Sequence, residues 1–164
     1  MSKTKKNLEE AFARESQATR RHLVYAERAA EESKEGIRRL LTALAESEAV
    51  HASNHLNHLK GIKTTEENLR QALAGEMQTY ESKYPQMIAD AKEEGEKGPE
   101  MSFTHANEGE KAHYRFLEQA LNDLDNFSIQ DYYVCKGCGY VVAHEPPGTC
   151  PVCGAAKKVL TKVK

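Results

Sequence analysis

Two short stretches of the 164-residue chain place a carboxylate and an imidazole three residues apart: Glu48-Ala-Val-His51 and Glu110-Lys-Ala-His113. On a helix that spacing turns both side chains to one face, where together they can hold one metal ion. One such pair among 25 acids and 7 histidines is ordinarily a solvated accident. Two pairs carry more weight, because Glu15 and Glu76 stand on the two other helical stretches. Four glutamates and two histidines on four helices are the donor set of a di-metal carboxylate site. Four carboxylates balance two divalent cations. Oxygen donors with imidazole suit iron or manganese, and a hard anionic shell stabilises the ferric state, so iron is favoured.

All four cysteines form two pairs, Cys135-Lys-Gly-Cys138 and Cys150-Pro-Val-Cys153. In a reducing compartment such pairs ligate a metal and do not form disulfides. Two knuckles that turn sulfurs and amides toward one ion make a tetrathiolate site. A zinc ribbon has the same ligands. A di-iron site upstream gives a one-electron iron relay a purpose, so iron is the first expectation and zinc the second.

The elements that must position these residues follow from periodicity. Apolar residues at helical spacing from Leu8 to Ala30 predict a first helix over 7–32 carrying Glu15. Ile37, Leu40, Leu41 and Leu44 open a second, with Glu48 and His51, that ends near Lys60-Gly61. Thr64-Thr-Glu-Glu67 is a capping box for a third, which carries Glu76 and runs to about Glu94 with a kink at Pro85. Pro99 suits the first position of a fourth, which ends near Asp123. The expected architecture is an all-α four-helix domain over 1–130 and a small cysteine domain over 131–164.

One connection is too short for a simple bundle. If the second and third helices run parallel past one site, the link must travel back roughly 30 Å at 1.5 Å per residue. Only about 4 residues, Gly61 to Thr64, are free to do so, and each spans at most about 3.6 Å. Either these helices are antiparallel, or helices one and two of one protomer complete a bundle with helices three and four of another; the exchange is the favoured expectation.

Composition excludes several classes. With 39% apolar and 29% charged residues and a formal charge of -2, the chain reads as globular, with no basic footprint for nucleic acid. No apolar run approaches a membrane span, and the basic start leads into amphipathic helix, so a cytoplasmic location is expected.

The stretches Ala11-Phe-Ala-Arg-Glu-Ser-Gln17, Glu48-Ala-Val-His51, Ala74-Gly-Glu76, Tyr84-Pro85 and Glu110-Lys-Ala-His113 resemble the helix motifs of the rubrerythrin family. Cys135-Lys-Gly-Cys138-Gly-Tyr and Cys150-Pro-Val-Cys153-Gly resemble its rubredoxin-like domain. The resemblance implies a ferritin-like bundle in which Glu48 and Glu110 bridge two irons, Glu15 and His51 serve one and Glu76 and His113 the other. It implies a non-haem peroxidase that reduces hydrogen peroxide to water in oxidative-stress defence. Electrons would come through the tetrathiolate iron from rubredoxin or an NAD(P)H-dependent reductase, in a helix-exchanged homodimer. An iron-oxidising, ferritin-like protein and a non-catalytic zinc-ribbon module are the rivals.

Two positions depart from the family pattern. Thr79 stands where a further glutamate is usual, and a threonine cannot replace an anionic ligand, so His51 is expected to stay bound in both oxidation states. His22, two turns after Glu15, stands where a tyrosine is usual; it reads as a polar residue beside the site, with an auxiliary ligand or proton donor as the sharper alternative. Tyr84 matches a family tyrosine near the site. Tyr25, Tyr80 and Tyr84 are expected in the core, His55 and His58 at the surface or an interface, and Glu46 and Glu108 in solvent.

Overall fold

The structure, a computed structural model, describes residues 2–163. Its contacts divide the chain into two compact units that meet in sequence between Lys63 and Thr64.

The first unit is a helical hairpin. Helix α1, Lys3–Glu31, is capped by the Ser2 hydroxyl, which accepts from Lys5 N–H. Helix α2, Glu35–His58, follows after a short turn. Both helices end alike. At α1 Ser33 is left-handed (φ 57°), with its N–H on Ala30 O and Lys34 N–H on Ala29 O. At α2 Lys60 (φ 54°) donates to Asn57 O and Gly61 to Leu56 O. These are Schellman endings, in which the last free carbonyls are satisfied by the residues just beyond the helix. The helix ends near Lys60-Gly61 as expected, with Lys60 as the left-handed residue. At Gly61 a Cβ would meet the Leu56 side chain, which would have to shift.

The hairpin closes over alanines. Ala26 and Ala29 on α1 and Ala45 and Ala52 on α2 are its buried residues, and their small size lets the helices approach closely. Leu40, Leu44, Val50 and Val24 stay exposed on this unit. So does Tyr25, which corrects its expected core position: two helices cover only one stripe of each other, and Tyr25 lies off it.

The second unit begins with the expected capping box. The Thr64 hydroxyl accepts from Glu67 N–H and the Glu67 carboxylate accepts from Thr64 N–H. Helix α3, Thr65–Gln78, passes through a π turn, Thr79–Lys83, into α4, Tyr84–Glu93. The single kinked helix expected here is therefore two, joined by a wider turn. Pro85 has no N–H to give to a carbonyl one turn back, and the π turn lets Tyr84 N–H reach Thr79 O instead. Gly95 (φ 75°) ends α4, and α5 runs from Lys97 to Asn122, with Pro99 at its third position and not its first.

After α5, strands β1 (Tyr132–Cys135), β2 (Val141–Ala143) and β3 (Leu160–Lys162) form an antiparallel sheet in the order β2-β1-β3. Its small core holds Cys135, Cys150 and Leu160, with Tyr133, Tyr140 and Val142 packed against it. The fold is thus mostly helical, with a small C-terminal sheet built around the cysteines.

Candidate metal centres

Each unit brings together one carboxylate–histidine trio. In the hairpin, Glu15 from α1 meets Glu48 and His51 from α2, with donor atoms within 4.8 Å of one another. His51 Nδ1 lies 2.9 Å from Glu48 Oε2. In the second unit, Glu76 from α3 meets Glu110 and His113 from α5 under the same limit. His113 Nδ1 lies 3.1 Å from Glu110 Oε2 and 3.8 Å from Glu76 Oε2. The three-residue spacing puts each glutamate and histidine on one helical face, and a third donor arrives from the neighbouring helix.

The two trios differ electrostatically. The hydrogen bond from His51 holds the Glu48 carboxyl below its ordinary range, and Glu15 and the nearby His22 act in the same direction. Burial pushes Glu76 up to about 7, and the adjacent Glu110 adds to the rise. A carboxyl held neutral beside a second carboxylate fits a site made for a cation, because a divalent ion would replace the proton.

His22 Nδ1 is buried with no hydrogen-bond partner, although His22 is not one of the three clustered donors. Thr79 Oγ1 donates to Gly75 O at 2.8 Å, so its hydroxyl is committed to the backbone. Tyr84 is half-buried against Phe103, and burial with the nearby Glu110 and Glu76 charges raises its hydroxyl pKa. Tyr80 is half-buried and donates to Glu81. Glu46 and His58 are exposed as expected; His55 is half-buried, and Glu108 is half-buried and paired with Lys111 at 2.6 Å. Sequence reasoning passed over Asn107, buried one turn before Glu110 with Oδ1 unpartnered; its three-residue offset from Glu110 was the available signal.

The cysteines form the third centre. Cys135 Sγ lies 3.6 Å from Cys153 Sγ, and Cys138 Sγ 3.6 Å from Cys150 Sγ. A tetrahedron with metal–sulfur bonds of about 2.3 Å has edges of about 3.8 Å, so these sulfurs stand where a tetrathiolate ion needs them. The two knuckles repeat each other. Gly139 (φ 83°) donates to Cys135 O and Gly154 (φ 72°) to Cys150 O, while Cys135 N–H and Cys150 N–H donate to Tyr140 O and Ala155 O. Although burial opposes it, backbone N–H groups of Cys153 and Val152 bring the Cys150 thiol down to about 7, whereas burial pushes Cys138 up.

These donor sets define a class: a ferritin-like di-iron carboxylate protein with a rubredoxin-like tetrathiolate site, taking two irons in the first and iron or zinc in the second. Comparison with known proteins identifies the family. The family model Rubrerythrin matches residues 6–121, and the model for the rubrerythrin rubredoxin-like domain matches 133–159. The chain belongs to the rubrerythrin family. It is 32% identical to rubrerythrin-2 of Clostridium acetobutylicum over 92% of this chain and 91% of that one. It is 33% identical to a rubrerythrin of Porphyromonas gingivalis, over 93% and 86% respectively. Among solved structures it is similar to nigerythrin in a fully reduced, all-ferrous state, with 28% identity, a TM-score of 0.59, and coverage of 99% of this chain and 88% of that one. Family membership makes an oxidoreductase the coarse functional class. No helix among the described residues is long and apolar enough to cross a membrane.

Proposed function

We propose that the chain is a non-haem di-iron peroxidase that reduces hydrogen peroxide to water, and that its two trios together hold the two irons. The observation that carries this reading is the pair of matched trios, Glu15–Glu48–His51 and Glu76–Glu110–His113, each with three of the six donors a di-iron site uses. In this reading Glu48 and Glu110 would be the carboxylates shared by the two irons. Glu15 and His51 complete one iron, Glu76 and His113 the other. The bound irons supply the two electrons that peroxide reduction takes. The protein's own task is to hold these donors rigidly, to keep the Glu76 carboxyl ready to exchange its proton for a cation, and to keep the neutral Tyr84 hydroxyl beside the carboxylates as a hydrogen-bond donor.

The short link supports assembly by exchange. Hydrogen bonds to Asn57 O and Leu56 O already commit Lys60 and Gly61 to the end of α2, and Thr64 is committed to the start of α3. What remains is too short for a return along the roughly 30 Å that a one-chain bundle with parallel α2 and α3 requires. A homodimer in which α1 and α2 of one protomer pair with α3 and α5 of the other removes the difficulty, and covers the exposed Leu40, Leu44 and Val50. The electron donor in this reading is reduced rubredoxin or an NAD(P)H-dependent reductase, in cytoplasmic defence against oxidative stress.

Thr79 favours a second reading, iron oxidation, because it leaves six donors and no further carboxylate at its position. A coupled assay separates the two. The iron-loaded protein with a reductase, rubredoxin and NADH is expected to consume peroxide and NADH in equal amounts, and Glu110→Ala to abolish the consumption. Oxidation of added ferrous iron without peroxide turnover would select the iron-handling reading.

A further inference from the structure

Asn107 is the one buried polar residue among the described residues, 8% exposed, and its Oδ1 has no hydrogen-bond partner. Asparagine is a weak helix former and a buried amide without a partner costs stability, so α5 gains nothing in folding by carrying it there. A native fold retains such a group where a bound molecule or a reaction uses it. At about 100° per residue, Phe103, Asn107 and Glu110 fall within about 60° of one another around α5, with Asn107 one turn from each of the others. Tyr84 lies along this stripe. Its ring packs on Phe103, with centroids 6.3 Å apart. Its hydroxyl is raised by burial and by the charges of Glu110 and Glu76, with no hydrogen bond among the causes. The π turn is what aims Tyr84. Such a turn takes in about one residue more than an α turn, so the 8 steps from Glu76 to Tyr84 rotate the chain as about seven would and return Tyr84 to the Glu76 face.

The wall beside Glu110 thus carries an acceptor, Asn107 Oδ1, and a donor, the Tyr84 O–H, that the fold does not use. One small molecule that both donates and accepts satisfies the two together. Hydrogen peroxide has two O–H groups and lone pairs on both oxygens, and water, its reduction product, fits in the same way. Dioxygen has no hydrogen to donate. We propose that Asn107 is a substrate-selecting residue, whose Oδ1 accepts a hydrogen bond from hydrogen peroxide beside Glu110 while the Tyr84 hydroxyl donates one to it. A site with a buried acceptor discriminates against a ligand that lacks a donor, because the acceptor is left unpaired when that ligand binds. The inference rests on the peroxidase reading above and supplies a cause for preferring peroxide to dioxygen.

The test compares the fully reduced, iron-loaded chain with its Asn107→Leu and Asn107→Ala variants in anaerobic stopped-flow, mixing each with hydrogen peroxide and separately with dioxygen. Both variants slow oxidation by peroxide by about fivefold, the size of one neutral hydrogen bond, and change oxidation by dioxygen by less than about twofold. Asn107→Thr, which keeps an acceptor oxygen, restores most of the peroxide rate. Iron content is the same in all three variants. A second readout needs no iron. In thermal melts of the metal-free chain at least one of Asn107→Leu and Asn107→Ala is as stable as the unmodified chain, since each removes an unpartnered amide. Equal falls with both oxidants, or no fall with peroxide, would overturn the proposal. So would a melting temperature lowered in both variants, which would mean that the fold already uses the amide. Preference of the unmodified chain for dioxygen, read before any variant, would instead sink the peroxidase reading and this inference with it.

Discussion

The two carboxylate–histidine trios use the same residue types, yet they are unlike as acids. In the hairpin the hydrogen bond from His51 holds Glu48 ionised. In the second unit Glu76 is half-buried beside Glu110 and sits up to about 7. In each trio the imidazole lies beside the glutamate three residues before it, and the difference lies at Glu76. That carboxyl carries a proton where a cation belongs. The difference comes from the neighbours, since Glu76 stands on a groove walled by Leu69 and Leu117 while His51 is exposed. The same residue types thus give one half whose Glu48 is held ionised and one whose Glu76 must give up a proton to a metal.

The sharpest way to break this comparison is to remove a bridging donor from either trio. If both trios serve one di-iron site, Glu48→Ala and Glu110→Ala have the same effect, and iron falls from about three to about one per chain in metal analysis. Loss of only one iron in each variant would mean that the trios bind separately.

Cys150→Ser is expected to empty the tetrathiolate site and loosen the small sheet, since Cys135 and Cys150 are most of its buried core. Visible absorption would report the loss, while helical circular dichroism and carboxylate-bound iron stay unchanged.

The pH difference gives the third prediction. Between its ordinary value of 4.5 and about 7, Glu76 of the metal-free folded chain keeps a proton that the unfolded chain has lost. Its contribution to stability therefore falls as pH rises through that window. Metal must displace the same proton, so affinity at this trio climbs by about tenfold per pH unit up to about pH 7 and then levels off. Glu76→Gln removes this proton's share of the slope, which titration with ferrous or cobalt ion at several pH values would check. Glu48, already ionised, adds no such slope above its lowered pKa.

His22→Phe is the smallest expected effect. His22 is outside the clustered donors, so iron content is unchanged and turnover falls by less than about tenfold, the low end for residues that act on a ligand from behind. Loss of one iron would instead make His22 a ligand, and its unpartnered Nδ1 the group that binds.

The grouping of the candidate donors was legible in the sequence. Glu48 with His51 and Glu110 with His113 are local pairs, and a three-residue spacing on a helix settles which way they face. The cysteine knuckles were legible for the same reason. What escaped depends on tertiary context. The π turn arises because Pro85 cannot donate, and a wide turn and a kink leave the same trace in sequence. Tyr25 has helical spacing that suits a core, but only packing decides which stripe of α1 is covered. The proton on Glu76 is set by burial and by Glu110, 34 positions away in the chain numbering.

The most direct test of the central claim is anaerobic stopped-flow of the fully reduced, iron-loaded protein against equimolar hydrogen peroxide, and separately against dioxygen, following the diferric and tetrathiolate iron bands. The account predicts fast oxidation by peroxide and slow oxidation by dioxygen. Preference for dioxygen, or no reaction with peroxide, would contradict it.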